Sequence, residues 1–194
     1  QCDRGEQLAP IVCAGGSVVC NPEPIAAFFD LFFLGEGEEL DLEVMDLYTE
    51  MKEKGATRSE FLRAAAQIEG VYVPSLYDVT YNDDGTVKAY TPKDGAPATV
   101  RKRIISDFDA CEAPEEFVVP FSEIVHDRAV TEVLRGCIRG CRFCQAGFLY
   151  RPFRERSPET VCKQAKTLID NTGYEELSLC SLSTSDHSQI EEMM

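Results

Sequence analysis

The chain has 194 residues, 44% of them apolar, which is enough to bury a core in one large domain or two small ones and excludes a disordered polymer. Its formal charge of −15 argues against a broad nucleic-acid footprint, but the charge is unevenly held. Residues 1–130 carry 11 Lys and Arg against 25 Asp and Glu, whereas residues 131–160 carry six arginines against three glutamates, a local basic patch suited to an anionic ligand or to plain solvation of a loop.

From the N-terminus, "APIVCAGG" reads as a short apolar strand ended by Gly15 and Gly16, "PEPIAAFFDLF" as a helix with Pro22 and Pro24 in its first turn, and "LFFLGEGEE" as a second buried strand. This alternation resembles the last third of a doubly wound α/β domain. The longest apolar run, "IAAFFDLFFL", is short and broken by Asp30, so no membrane span is predicted. Leu40, Val44, Leu47 and Met51 recur at helical spacing up to Gly55. A second helix opens at Thr57, whose spacing to Glu60 makes a capping box, and buries Phe61, Ala65 and Ile68 before Gly70. "YDVTYNDDGTVKAY" alternates with period two around Asp84-Gly85, a β-hairpin, and the Pro-rich stretch from Thr91 to Pro120 reads as a linker.

The pattern of a βαβ unit begins at residue 129. "AVTEVLRGC" is a strand running into a cysteine-bearing loop, Ser157-Pro158-Glu159 caps a helix carrying Val161, Ala165, Leu168 and Ile169 on one face, Gly173 ends it, and "ELSLCSLS" is the second strand. Parallel strands joined in this way leave their ligand sites at the strands' C-terminal ends, where the cysteines fall.

Nine cysteines, several in apolar contexts such as Cys13, Cys20 and Cys180, suggest a reducing, cytoplasmic setting. Three of them crowd into "RGCIRGCRFC" at spacing C-x3-C-x2-C: Cys137, Cys141 and Cys144. A structural zinc site needs a fourth ligand, for which Cys162, Cys180 or His187 are remote candidates. A thiol-redox pair uses the C-x-x-C of Cys141 and Cys144 and leaves Cys137 surplus. An iron-sulfur cubane bound by three thiolates leaves one iron open, and Gly136 and Gly140 offer the backbone torsions for a loop wrapping it.

C-x3-C-x2-C with an aromatic residue, Phe143, before the last cysteine, on a loop after the first strand of a βαβ unit, resembles the radical S-adenosylmethionine enzymes. The resemblance implies that Cys137, Cys141 and Cys144 ligate a 4Fe-4S cluster, that Phe143 packs near the adenine of S-adenosylmethionine, and that reductive cleavage of this cofactor gives a 5'-deoxyadenosyl radical. "GGSVVCNPEPIAAFFDLFFLGEGEE" is similar to the end of the cobalamin-binding-type domain that precedes the radical domain in one large subgroup, and "VHDRAVTEVLRGCIRGCRFCQAGFLYRPFRERSPE" to its uncharacterised bacterial members. The acidic glycine-rich segment that holds the methionyl ammonium in many such enzymes is replaced by Ser181-Leu182-Ser183-Thr184-Ser185-Asp186. Ser183 and Ser185 are the residues expected to face the site if strand alternation continues.

The expectation is therefore an α/β protein: residues 1–70 the end of a doubly wound, cobalamin-binding-like domain, 71–128 a hairpin and linker, and 129–194 the opening of a radical S-adenosylmethionine barrel. Beginning on Gln1, the chain reads as an internal piece of a longer protein. Neither His126 nor His187 lies in the Asp-x-His-x-x-Gly pattern that supplies cobalt's lower ligand in that subgroup, so cobalamin is left open. A flavodoxin- or ferredoxin-type reductant is the implied partner, and the substrate, RNA or a small molecule, is not specified. The competing reading is a non-enzymatic zinc or iron-sulfur module completed by a remote fourth ligand.

Overall fold

The computed structural model describes residues 5–122 and 124–194. The chain divides into two compact units, Gln1–Ile105 and Ser106–Met194.

In the first unit, β1 (Cys13–Ala14) pairs in parallel with β2 (Leu31–Phe33), and two helices follow, α1 (Gly37–Glu53) and α2 (Arg58–Ala65). The chain then returns as β3 (Val71–Tyr72), antiparallel to β2. Strand alternation sorts the core into two faces. Leu31 and Phe33 of β2, with Val71 and Val73, pack against Leu40 and Val44 of α1 and Phe61 and Ala65 of α2. Phe32 and Tyr72 point the other way, onto Val19 and Phe29. The crossover from β1 to β2 is not the expected α-helix. It forms two 3₁₀ stretches, Ser17–Cys20 and Glu23–Phe28, because segments this short close i→i+3 bonds, such as Ile25 N–H to Pro22 O at 3.1 Å, more readily than an α-helical ladder.

The capping box of α2 is present, with the Glu60 amide donating to Thr57 Oγ1 at 3.3 Å and the Thr57 amide to Glu60 Oε2 at 2.8 Å, an arrangement typically worth ~1 kcal/mol. Buried Asp30, the residue that breaks the apolar run, is paired with buried Arg58 at 2.9 Å. Asp30 Oδ2 also accepts the Val12 amide, and the Arg58 guanidinium donates to the carbonyls of Gln7 and Pro10, so the entry to β1 is fastened to α2.

The hairpin follows as β4 (Tyr77–Tyr81) and β5 (Val87–Pro92), antiparallel about Asp84-Gly85 as the alternation predicts. Beyond it the chain returns to the same unit. Arg103 bridges to the backbone of Leu34 and Glu36 and pairs with Glu39 and Glu43 on α1 at 2.7 and 2.6 Å.

The second unit carries β6 (Ala129–Glu132), β7 (Leu134–Arg135), a short helix α3 (Ala146–Leu149), β8 (Arg154–Glu155), α4 (Pro158–Thr172), β9 (Leu177–Cys180) and α5 (Ile190–Met193). β6 and β9 are parallel, with Ala129 opposite Leu177 and Glu132 opposite Cys180, and α4 is the crossover. The Ser157 hydroxyl accepts the Thr160 amide at the N-terminus of α4, and Gly173, at φ 73°, closes its C-terminus in the left-handed conformation. The strand expected across "AVTEVLR" breaks at Val133, which donates to Cys180 O while its own carbonyl accepts from Arg156. At this residue the chain changes partner, and β7 pairs antiparallel with β8. Val133 and Leu134 pack on Val161 of α4. The ring of Phe108 lies 4.4 to 5.6 Å from the guanidinium carbons of Arg135, Arg154 and Arg156.

Candidate functional site

Parallel pairing of β6 with β9 puts the cysteine loop and the turn after Cys180 at the same end of the βαβ unit, the end where α/β folds place ligands. The loop leaves β7 at Gly136. With φ at 93°, a Cβ there would sit 2.8 Å from the Pro152 carbonyl and the Phe153 Cα, so only glycine lets the outgoing and returning chains pass. Cys137 follows, half-buried, its sulfur accepting the Arg139 amide at 3.5 Å. Cys141 is exposed and Cys144 half-buried, and the Cys144 amide donates to the Cys141 carbonyl in a turn that leads into α3. All three thiols are free of disulfides. Phe143 and Ile138 are exposed beside them.

The strongest contact across this end was not anticipated. Arg139, inside the C-x3-C segment, donates from Nε to Asp186 Oδ2 at 2.7 Å and from Nη2 to Oδ1, a two-pronged pair. Its side chain is 60% exposed, whereas that of Asp186 is 6% exposed. Ser183 donates to the same Oδ2 at 2.6 Å, and Ser181 shares a hydrogen bond with Thr184. Hydrogen bonds from Arg139 and Ser183 hold the Asp186 carboxyl below its usual range. The Asp186 carboxylate holds Arg139 above its own, with the neighbouring Cys137 and Cys141 sulfurs adding to the effect. The residues are 47 positions apart, and no spacing rule links them.

β9 stops at Cys180, and Thr184–Asp186 form a 3₁₀ turn, so the strand alternation assumed for Ser183 and Ser185 does not reach them. Ser183 is half-buried against Asp186, and Ser185 is exposed. The arginines after the loop are largely structural. Arg151 donates to Gly147 O and covers Phe148, and Arg156 is buried, donating to the carbonyls of Asp109 and Cys111. Arg156 Nε meets no hydrogen-bond acceptor among the described residues, and the face of Phe108 lies against its guanidinium instead. His126 is exposed and contacts Arg128.

His187 is buried, its Nδ1 accepting the Gln189 amide at 3.1 Å and its Nε2 bonded to the Arg156 carbonyl at 2.9 Å. Both ring nitrogens are therefore occupied by backbone, which removes it as a fourth metal ligand. Cys162 and Cys180 are exposed. Among the described residues no three His, Cys, Asp or Glu side chains come close enough together to hold a metal ion. The donor chemistry of the loop nonetheless fits a thiolate-bound cluster: three free cysteines on one glycine-flanked turn, with an amide donating to one sulfur. A cobalt-ligating imidazole has no counterpart in the first unit, because both histidines lie beyond Ile105. That unit does hold an apolar cleft of about 530 Å³ between β1–β2 and α1, where burial pushes the Cys13 thiol and the Asp41 carboxyl up.

The architecture is mixed α/β, with its cysteine loop at the C-terminal end of a parallel βαβ unit. Residues 1–74 match the family model described as radical SAM proteins, N-terminal. The chain is also 27% identical over 186 residues to an uncharacterized protein of Methanocaldococcus jannaschii, covering 95% of this chain and 34% of that relative. The chain thus spans about a third of the length of the curated relative it matches. No solved structure matches it. Among the described residues no helix is long and apolar enough to cross a membrane.

Proposed function

We propose that this chain carries the cluster-binding loop of a radical S-adenosylmethionine enzyme. The observation that carries the reading is the C-x3-C-x2-C loop at the C-terminal end of the β6–α4–β9 unit, in a chain whose first 74 residues match the N-terminal family model. In this reading the second unit opens a radical S-adenosylmethionine barrel and the first is the end of a doubly wound domain of cobalamin-binding type, with cobalamin itself unsupported by the donor set.

Cys137, Cys141 and Cys144 are the thiolates that hold a 4Fe-4S cluster. When bound, that cluster supplies the electron for reductive cleavage of S-adenosylmethionine. Gly136 lets the loop return past Phe153 and so fixes where the thiols stand. The exposed ring of Phe143 offers a face for the adenine. Ser183 supplies a hydroxyl for the methionyl ammonium in concert with Asp186. A flavodoxin- or ferredoxin-type protein in the cytoplasm delivers the electron, and the substrate is an RNA or a small molecule read by parts of the whole protein beyond this chain.

The test is anaerobic reconstitution with iron and sulfide, followed by electron paramagnetic resonance of the reduced protein with and without S-adenosylmethionine. A four-iron signal that changes on addition of the cofactor is the expected result. Zinc without an iron-sulfur signal, or a cluster signal indifferent to the cofactor, would overturn the proposal in favour of a non-enzymatic metal module.

A further inference from the structure

We infer that Arg139 and Asp186 form a clasp that holds the cysteine loop against the turn after β9 before any metal arrives. Arg139 is then a positioning residue for the cluster, and the inference rests in that respect on the function proposed above. The geometry is specific. Arg139 is the middle residue between Cys137 and Cys141, and its amide donates to the Cys137 sulfur, so fixing its side chain fixes the segment that carries two of the three thiols. Its two-pronged bond reaches a carboxylate that is itself nearly buried and braced by Ser183. A braced, desolvated acceptor is an anchor, whereas the exposed arginine is the part free to move.

The rest of the loop is less constrained. Gly140 sits at φ 63° with nothing near its Cβ position, Cys141 and Arg142 are exposed, and the Cys144 amide to the Cys141 carbonyl is a local turn. The pairing of Arg135 with Arg154 ties the loop's start to its return, so the clasp is a second attachment, on the far side of Cys137. Two attachments bracketing Cys137 reduce the conformations that the thiols must abandon when they close on a cluster, which is how preorganisation raises metal affinity without a direct contact to the metal.

The experiment compares the metal-free wild type with Arg139→Ala, Arg139→Lys and Asp186→Asn by amide hydrogen exchange, using α4 and β6 as the internal control for folding. With the clasp removed, exchange over residues 136–145 is expected to quicken about two- to fivefold, the range a partly exposed ion pair can supply, with α4 and β6 unchanged and Arg139→Lys intermediate because it keeps the charge and loses the fork. The reconstituted proteins are then challenged with an iron chelator, and iron loss from the variants should quicken by a similar factor. Unchanged exchange in all three variants overturns the inference. So does exchange that quickens as much in α4 and β6 as in the loop, since the pair would then be a general fold contact. If the variants loosen the loop but the wild type takes up no iron, the clasp stands and the cluster reading fails; if the wild type loads its cluster and the loop is indifferent to the variants, the reverse holds.

Discussion

Replacing buried Arg58 by methionine should unfold the first unit far more readily than the loss of a surface arginine would. The substitution keeps the aliphatic stem and removes the guanidinium. With it go the 2.9 Å pair to Asp30, the 2.7 Å bond to Pro10 O and the 3.2 Å bond to Gln7 O, and a carboxylate 2% exposed is left without this cation. Breaking one side of a buried pair typically costs about 3–5 kcal/mol. With a urea dependence of about 2 kcal/mol per molar, that shifts the midpoint down by about 2 M. The chain has no tryptophan and five of its seven tyrosines precede Ile105, so tyrosine fluorescence in a urea titration reports mainly on this unit. Asp30→Asn keeps an oxygen for the Val12 amide and should cost less, about 2 kcal/mol. The double variant should regain about 1–3 kcal/mol relative to the sum of the two. A loss below about 1 kcal/mol for Arg58→Met, or strict additivity in the double variant, would refute the view that this pair fastens the entry of β1 to α2.

On the proposed function, serine at Cys137, Cys141 or Cys144 should abolish cluster loading, measured as iron and sulfide per chain, while serine at Cys162 or Cys180 leaves it at the wild-type level. Gly136→Ala should cost about 1–3 kcal/mol, because its Cβ would lie 2.8 Å from backbone at a positive φ, whereas Gly140→Ala, with open space around it, should cost no more than about 1 kcal/mol; thermal melts of the two variants give the comparison. Burial opposes ionisation of Asp109, yet the Ser157 amide and hydroxyl, the Thr160 hydroxyl and the Arg156 charge together hold its carboxyl below the usual range. A depressed carboxyl stabilises the fold above its unfolded pKa, and that contribution vanishes as pH falls through the folded value. Stability of the wild type should therefore drop below about pH 4 more steeply than that of Asp109→Asn, followed by circular dichroism against pH.

Most of what was legible in the sequence was local. The capping box at Thr57 and Glu60, the Asp-Gly hairpin, and the Ser157-Pro158 start and Gly173 stop of α4 are each written within a few residues and appear as written. The parallel β6–α4–β9 unit followed from periodicity and caps together. What escaped was non-local. Asp30 read as an interruption in an apolar run because its partner lies 28 residues on, and Arg139 read as one arginine of a basic patch because Asp186 lies 47 residues on. β7 and β8 are two residues each, too short to show a period, and exist because Val133 exhausts one partner and turns to another. The β1–β2 crossover was misjudged as an α-helix because hydrophobic spacing does not register how few residues are available to close a ladder.

The pairing of Leu134 with Glu155 and Arg135 with Arg154 means that the stretch bearing all three clustered cysteines departs from and rejoins the fold at a single rung. Its eighteen residues, 136–153, form an excursion pinched at the neck. A span anchored in this way is exchangeable. The entropy of closing it grows only logarithmically, with each doubling in length costing about 0.6 kcal/mol, so its contents can be rewritten or extended while β6, α4 and β9 keep their register. The scaffold thereby separates the register of the strands from the contents of the loop, the closing rung and the Arg139–Asp186 pair being the points at which the two constrain each other.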